Sequence, residues 1–570
     1  MTKKMNNNKS NKVKMNKFKI LGVAFLAGMT ASYAQTIDQA KKEIDAEKYQ
    51  DAKVTLKSIV KSDPSEGKAF FLLGNVYLYQ NVSDSAKMSY QSGLTAKNDA
   101  HFNNIGLGQI DLNSGNVAAA KANFNSAIKE MRRKDFEEYQ YVARAYMNST
   151  NPDYKSALAT LELAKEKNAQ EPQILLALGD AYYGDKNQNQ AYSNYRNAFQ
   201  ADNSLIRAKV QLGVLLKGAK AYTEAVAAYN EVLATNPNYG PLYRELAETY
   251  YLWGLNVPGR QDEYLKKALG YYEKYMTLTD YSLASRMRHA DFLILAKDYK
   301  ALEVEANKMK ELDKVNPRIL RYLGYAAYQN GNVDVAIKSL QDYTANPDNK
   351  IINLDYMYLG LAKIKKGTNA DGTAIDPTAF QAGVADIKKA ADIEISVTNE
   401  LGEIGKDLYE KKLYKEAAAI LEIATSNPKT NTFLYDNYYL GNAIYFDNAG
   451  ADVVKDTVAL KKADIAYGNV ITASPDTQDV YLSRARTNSL LGDDKAMIMY
   501  YQQYIDIVTK KGPEELAKPA VKAKLIECYN TMAAGYANFD KVKAKEFFQK
   551  TLAIDPTNAY ATQSLNILNK

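Results

Sequence analysis

The chain predicts an all-α solenoid built from helix-turn-helix repeats, and three observations carry that prediction. Leu178-Gly179, Leu212-Gly213 and Leu246-Ala247 follow one another at a step of 34 residues, and Ala191/Ala225, Tyr195/Tyr229 and Asn203/Pro237 keep the same interval. Asp63-Pro64, Asn236-Pro237, Asn316-Pro317, Asn346-Pro347, Asn427-Pro428 and Asp555-Pro556 each follow an apolar helical run, where proline stops a helix from continuing. Degenerate copies of the same pattern extend from Thr36 to Lys570, about thirteen or fourteen units in all. A hairpin of this length cannot bury its apolar face alone, so neighbours must stack and share one continuous core.

The first 34 residues read differently from the rest. Lys17 and Lys19 precede an apolar run from Ile20 to Met29, and Ser32-Tyr33-Ala34 offers small residues at a cleavage position, the pattern of a secretory signal peptide. Met15 is an alternative start that gives a leader of ordinary proportions, whereas Met1 adds a Lys/Asn-rich extension. No cysteine follows the apolar run, so the expected product is exported, periplasmic or outer-membrane associated, without a lipid anchor on an N-terminal cysteine. Neither this run nor any later one is long enough to span a bilayer.

The leader carries seven Lys and no acid, so the formal charge of +7 belongs to it and the remainder is neutral, with 66 basic and 66 acidic residues. Nucleic-acid binding therefore lacks the global positive field it would use. The single cysteine, Cys528, forms no internal disulfide, so stability has to come from packing. Its surroundings, Leu525-Ile526-Glu527-Cys528-Tyr529, form an apolar helical pattern that suits a buried thiol.

In order along the chain, the spacing places an N-terminal array over 35–252, a central array over 253–508, and a last unit over 509–570. The units read Leu73-Gly74, Tyr77, Ala86, Tyr90, then Leu107-Gly108, Ala120, Phe124, Ala127. Later ones read Leu323-Gly324, Ala327, Ala336, Leu340, then Leu440-Gly441, Ala463, Tyr467, Pro475, and last Ala544, Phe548, Pro556. Small residues let two helices approach closely, and aromatic ones fill the space between successive hairpins. Loop insertions within hairpins are expected at Gly254 to Asp262, Lys365 to Thr378 and Asp447 to Asp456, and Lys510 to Pro519 separates two units. The tail from Asn558 to Lys570 carries Leu565, Ile567 and Leu568 at helical spacing among polar residues, which suits a capping helix.

Each unit resembles the tetratricopeptide repeat: a large-small pair and an aromatic on the first helix, a small residue and an aromatic on the second, and a closing Pro or Asn. The resemblance covers nearly all of the chain beyond the leader. It implies a right-handed superhelix whose inner groove is lined by first helices and binds a peptide or protein. Register with the family places Arg144, Tyr183, Arg244, Tyr251, Arg321, Tyr325, Tyr328, Tyr435, Tyr438 and Tyr445 on the groove side. Tyr and Arg suit recognition, since both combine large contact area with hydrogen bonds, and the chain holds 45 Tyr against 15 Phe. Tyr77, Tyr195, Tyr229, Tyr272 and Tyr467 fall instead on packing positions. The family's carboxylate clamp of Lys, Asn and Arg is not matched, because its places hold Phe71, Asn75, Phe102 and Gly106, or Leu176, Asp180, Arg207 and Gln211.

Chemistry beyond binding finds few parts. His101 and His289 are the only histidines and stand far apart, which starves a catalytic triad or a His/Cys metal cluster. Gly106-Leu107-Gly108 lies inside a helical pattern without a following Lys-Ser/Thr, and Asn369 to Thr373 lacks the closing acid of a calcium loop. No enzyme activity, metal or cofactor is expected. The expected role is a scaffold or adaptor of the cell envelope with a protein or peptide partner, and membrane association only through that partner. The alternatives are glycan binding on aromatic platforms, against which stand the missing lipid-anchor cysteine and the single tryptophan, Trp253, and an accessory role in outer-membrane assembly or secretion. A hydrolase using carboxylates alone is a third class, but no local acid pair stands out.

Overall fold

The computed structural model describes residues 36–569 apart from 133, 134, 281 and 315, so the leader expected at 1–34 lies outside the described residues. Among the described residues every regular element is a helix, thirty α-helices and one short 3-10 turn. The chain divides into two compact units, one ending at Lys297 and the other beginning at Asp298.

The first unit holds seven complete hairpins, from Ile37–Asp45 paired with Tyr49–Ser62 to Gly240–Asn256 paired with Gln261–Leu278, followed by the helix Leu283–Leu295. The second opens with the helix Tyr299–Leu312 and holds six complete hairpins, from Arg318–Gln329 with Val333–Ala345 to Pro519–Ala537 with Lys541–Ile554. It ends in the helix Ala559–Leu568, which buries Ala561 and leaves Ile567 exposed, as a cap should. These thirteen hairpins bear out the repeat count read from the sequence.

The small-and-aromatic grammar of the repeat is visible as direct packing. Ala86, Ala120, Ala191, Ala225, Ala336, Ala463 and Ala544 have no solvent exposure. A β-carbon on Gly179 would lie 2.4 Å from the ring of Tyr195, and one on Gly213 would lie 2.3 Å from Tyr229. Tyr195, Tyr229, Tyr272 and Tyr467 are buried as expected, whereas Tyr77 is only half-buried and lies beneath Lys53 and Lys57. Asp and Asn side chains start many helices by accepting a backbone N–H, as Asp153, Asn187, Asp493 and Asn558 do. The helices before the six Asp-Pro and Asn-Pro pairs end ahead of them, for example Tyr49–Ser62 before Pro64 and Tyr222–Thr235 before Pro237.

The turn within a hairpin repeats one backbone feature. Glu47, Asn81 and Gly115 stand one period apart with φ of 58°, 59° and 80°, and Lys186 and Lys220 repeat it at 63° and 61°. Among the described residues Gly115, Gly259, Gly331 and Gly492 fill this left-handed position with the residue that suits it best.

Two expected loops are mostly helix. The insertion at Gly254 to Asp262 extends its hairpin instead, leaving four residues between Gly240–Asn256 and Gln261–Leu278. Trp253 explains the extension, since its ring stacks on Tyr264 of the facing helix at 4.8 Å and on Tyr250 of its own helix at 5.9 Å. The array boundaries placed at 252/253 and 508/509 fall within Gly240–Asn256 and Asp494–Lys510. Between Lys510 and Pro519 lies a further short helix, Pro513–Ala517. The Asn369 to Thr373 segment is a turn closed by its own side chains, Thr373 donating to Asp371 at 2.6 Å and Ala374 N–H to Asn369 at 3.0 Å.

Candidate functional site

Successive first helices touch one another, while second helices for the most part touch only the elements next to them in sequence. First helices therefore line the tighter, inner face of each unit. In the first unit that face is a series of charged pairs linking one hairpin to another. Glu137 receives Lys41 at 2.7 Å and Lys68 on its other oxygen, and Lys68 also stands 4.7 Å over the ring of Phe102. Asp180 pairs with Arg207 at 2.6 Å and accepts the Tyr195 hydroxyl at 3.0 Å. Lys217 meets Glu245 at 2.6 Å, and Arg288 clasps Glu248 with both arms at 2.8 and 2.7 Å.

The places of the absent carboxylate clamp are thereby accounted for. Phe71 and Phe102 are core residues, Asn75 accepts the buried Tyr90 hydroxyl, and Asp180 and Arg207 neutralise each other.

The turn of the first hairpin reaches the seventh. Arg244 and Tyr275 both donate to the Glu47 carboxylate, the phenol at 2.7 Å. Tyr239 donates to Asp45 at 3.1 Å, and Asp280 holds the Gln50 N–H at 2.5 Å. Burial and the Glu47 charge push the Tyr275 phenol up to about 12, so it stays a donor at neutral pH. Asp45 keeps contact with solvent, yet the desolvation around it raises its pKa against the pull of Arg207 and Arg144. None of these acidic residues was read as part of the wall from the sequence.

The ten residues placed on the groove side divide into three groups. Arg144, Tyr183, Tyr251 and Arg244 lie on first helices of the first unit. Arg144 makes no ion pair among the described residues and lies 5.8 Å over Tyr141, Tyr183 is 39% exposed, and Tyr251 is half-buried under Arg288. Arg244 is already engaged by Glu47. Arg321 and Tyr325 are not on an open wall at all: both are buried and committed to Asp355, at 2.7 and 2.8 Å from the guanidinium and 2.7 Å from the phenol. The adjoining hairpin supplies that aspartate and covers the face.

Tyr328, Tyr435, Tyr438 and Tyr445 keep partial or full exposure in the second unit. Tyr328 packs 5.5 Å from Tyr358, Tyr435 is 71% exposed, and Tyr438 lies 5.8 Å from Tyr439. Burial raises the pKa of Tyr445, an effect the nearby Arg486 opposes. Arg486 itself clasps Glu527 at 2.6 Å through both arms, a pair that the sequence did not single out.

The histidines serve structure. His101 bonds the buried Glu138 at 2.7 Å and His289 stacks on Tyr272. Cys528 is fully buried, and burial together with Glu527 pushes its thiol up, away from reactivity. Among the described residues no group of three or more His, Cys, Asp or Glu could hold a metal ion, and no helix is long and apolar enough to cross a membrane.

Stacked helical hairpins with an inner wall of paired charges and tyrosines define a repeat solenoid of the interaction-scaffold class. The family model for the tetratricopeptide repeat matches residues 301–350, so the chain carries a tetratricopeptide repeat there, and helical hairpins of the same pattern run through both units. Solved structures with partial likeness include the C-terminal part of a TPR repeat-containing protein from Cytophaga hutchinsonii, at 27% identity over 49% of this chain and 98% of that one with a TM-score of 0.27. Another is a tetratricopeptide repeat protein from Parabacteroides merdae, at 16% identity over 46% and 98% with a TM-score of 0.33. A third is PilW, described as a widely conserved type IV pilus biogenesis factor, at 18% identity over 35% and 91% with a TM-score of 0.25. No curated protein matches the chain.

Proposed function

We propose that this chain is a non-enzymatic scaffold, exported to the bacterial cell envelope, that binds a peptide or protein segment along the inner wall of its first unit. The observation that carries this reading is the pairing state of the wall. Most of its cations are neutralised within the protein, whereas Arg144, half-buried, makes no ion pair among the described residues and Tyr183 is 39% exposed. Preformed helices hold such groups in place, so a bound segment meets little ordering penalty on the protein side. Export rests on the leader at 1–34. Glycan binding is disfavoured because three tyrosines already stack against Trp253.

The test is crosslinking in intact cells followed by mass spectrometry, comparing the native chain with Arg144→Ala/Tyr183→Ala. A stoichiometric envelope protein captured by the native chain and lost from the double variant is expected. Equal capture by both would remove the inner wall from the mechanism.

A further inference from the structure

The contact between the first hairpin's turn and the seventh hairpin is not required by the repeat. It joins residues 194 to 230 positions apart through Asp45–Tyr239, Glu47–Arg244, Glu47–Tyr275 and Gln50–Asp280. Its centre is a carboxylate held by one guanidinium and one phenol. Glu47 occupies the left-handed turn position at φ 58°, where other hairpins use Gly115, Gly331 and Gly492, so the backbone gives no reason for a glutamate there. The groups it reaches belong to the wall: Arg244 projects from a first helix and lies 5.4 Å over the Tyr275 ring. Arg244 remains 35% exposed and Glu47 18% exposed, which leaves the pair open to exchange with solvent-borne groups.

We propose that Arg244 and Tyr275 form a carboxylate-binding site for an acidic peptide partner, and that Glu47 fills it as a built-in competitor in the unbound protein. This rests on the reading of the inner wall as the binding surface and adds the partner's chemistry to it. A glutamate or aspartate side chain from the partner replaces one carboxylate by another, so the charge balance of the wall is kept. A more highly charged anion fits less well, because Glu245 already stands 3.6 Å from the Arg244 guanidinium. Displacing Glu47 removes the two carboxylate contacts at the centre of this closure and leaves only Asp45–Tyr239 and the Asp280 bonds to hold residues 45–50, so occupancy and loosening of the first unit are coupled. A tethered competitor lowers apparent affinity by the fraction of time it occupies the site.

The probe is fluorescein-labelled hexaglutamate, with hexaglutamine as the neutral control, titrated into the full chain by fluorescence anisotropy at low salt. Glu47→Gly suits the φ of its position and Glu47→Gln keeps the side chain's length, so neither endangers the fold. Both should bind hexaglutamate about tenfold tighter than the native chain, and adding Arg244→Gln to Glu47→Gly should abolish the gain. Spin labels on Asp51→Cys and Lys274→Cys should move apart when hexaglutamate binds, and the buried Cys528 leaves those two sites as the reactive ones. Equal affinity of Glu47→Gly and native chain, or a gain that survives Arg244→Gln, overturns the proposal. If Arg144→Ala/Tyr183→Ala still loses the envelope partner in that case, the scaffold reading stands without the competitor; if that partner is retained by every variant, both fall.

Discussion

Tyr90 and Gly106 belong to different hairpins, and the ring of the first occupies the space of the side chain that the second lacks. A β-carbon on Gly106 would stand 2.3 Å from the tyrosine ring, and one on Gly74, on the opposite helix, would stand 2.2 Å from it. The ring is therefore wedged between two first helices and cannot retreat.

Gly106→Ala should lower stability in spite of alanine's better helix propensity. The propensity gain is about 1 kcal/mol, while forcing an atom into a closed wedge costs about 1–3 kcal/mol. Gly270→Ala is the matched control, because nothing lies within 4 Å of a β-carbon there and the site is exposed within a helix. Thermal melts should show the first variant falling and the second rising by about 0.5–1 kcal/mol; a rise in both would show the wedge to be loose.

Arg321 and Asp355 stand one period apart and are both buried, with Tyr325 and the Ile352 N–H completing the carboxylate's bonds. Removing one member strands the other, so Asp355→Leu or Arg321→Leu alone should cost about 3–5 kcal/mol in urea unfolding. The double Leu variant should recover most of that loss, since replacing both charges by apolar groups leaves none unpaired. A double variant as unstable as the sum of the singles would argue that Tyr343 and the Lys350 carbonyl, also held by Arg321, matter more than the ion pair.

Acid stability should report on Glu137. Burial alone would raise its carboxyl pKa, but Lys68 and Lys41 outweigh that and hold it below the ordinary 4.5. The folded state thus binds the proton less readily than the unfolded one. Its contribution is full above about pH 4.5 and disappears as pH falls through the lower folded value. Glu137→Gln should melt lower than the native chain at pH 7 and lose less than it between pH 5 and 3. Asp45 works in the opposite sense, its raised pKa favouring the folded state as pH falls, so Asp45→Asn should remove a small gain on acidification.

The hairpins were legible because close helix approach leaves a local signature: Leu-Gly on one helix, Ala and Tyr on the next, repeated at 34 residues. The same spacing put Arg321 and Tyr325 on a groove face, but spacing fixes only which side of a helix a residue occupies. Whether the next hairpin covers that side depends on its own residue, here Asp355, and the two cases share one pattern. The Glu47–Arg244 contact was less legible still. It depends on the rotation accumulated over six hairpin steps, and a fraction of a turn too many or too few would separate groups 197 residues apart. Its only mark in the sequence is a glutamate one period before Asn81 and two before Gly115.

That turn position supplies a way to weigh the contact. Lys220 has φ 61° and makes no ion pair among the described residues, so Lys220→Gly isolates the backbone effect. Relief of the left-handed conformation should stabilise the chain by up to about 1 kcal/mol, reduced by the entropy glycine gains on unfolding. Glu47→Gly has the same backbone benefit, but it also removes two hydrogen bonds to the carboxylate, each worth about 1.5–3 kcal/mol when one partner is charged. Partial exposure and screening take the lower end of that range. Lys220→Gly should therefore melt above the native chain and Glu47→Gly below it, and the gap between them measures the closure. Two equal upward shifts would mean that Glu47 contributes nothing to holding the first hairpin against the seventh, and that residues 45–50 rest there only by the remaining contacts of Asp45 and Asp280.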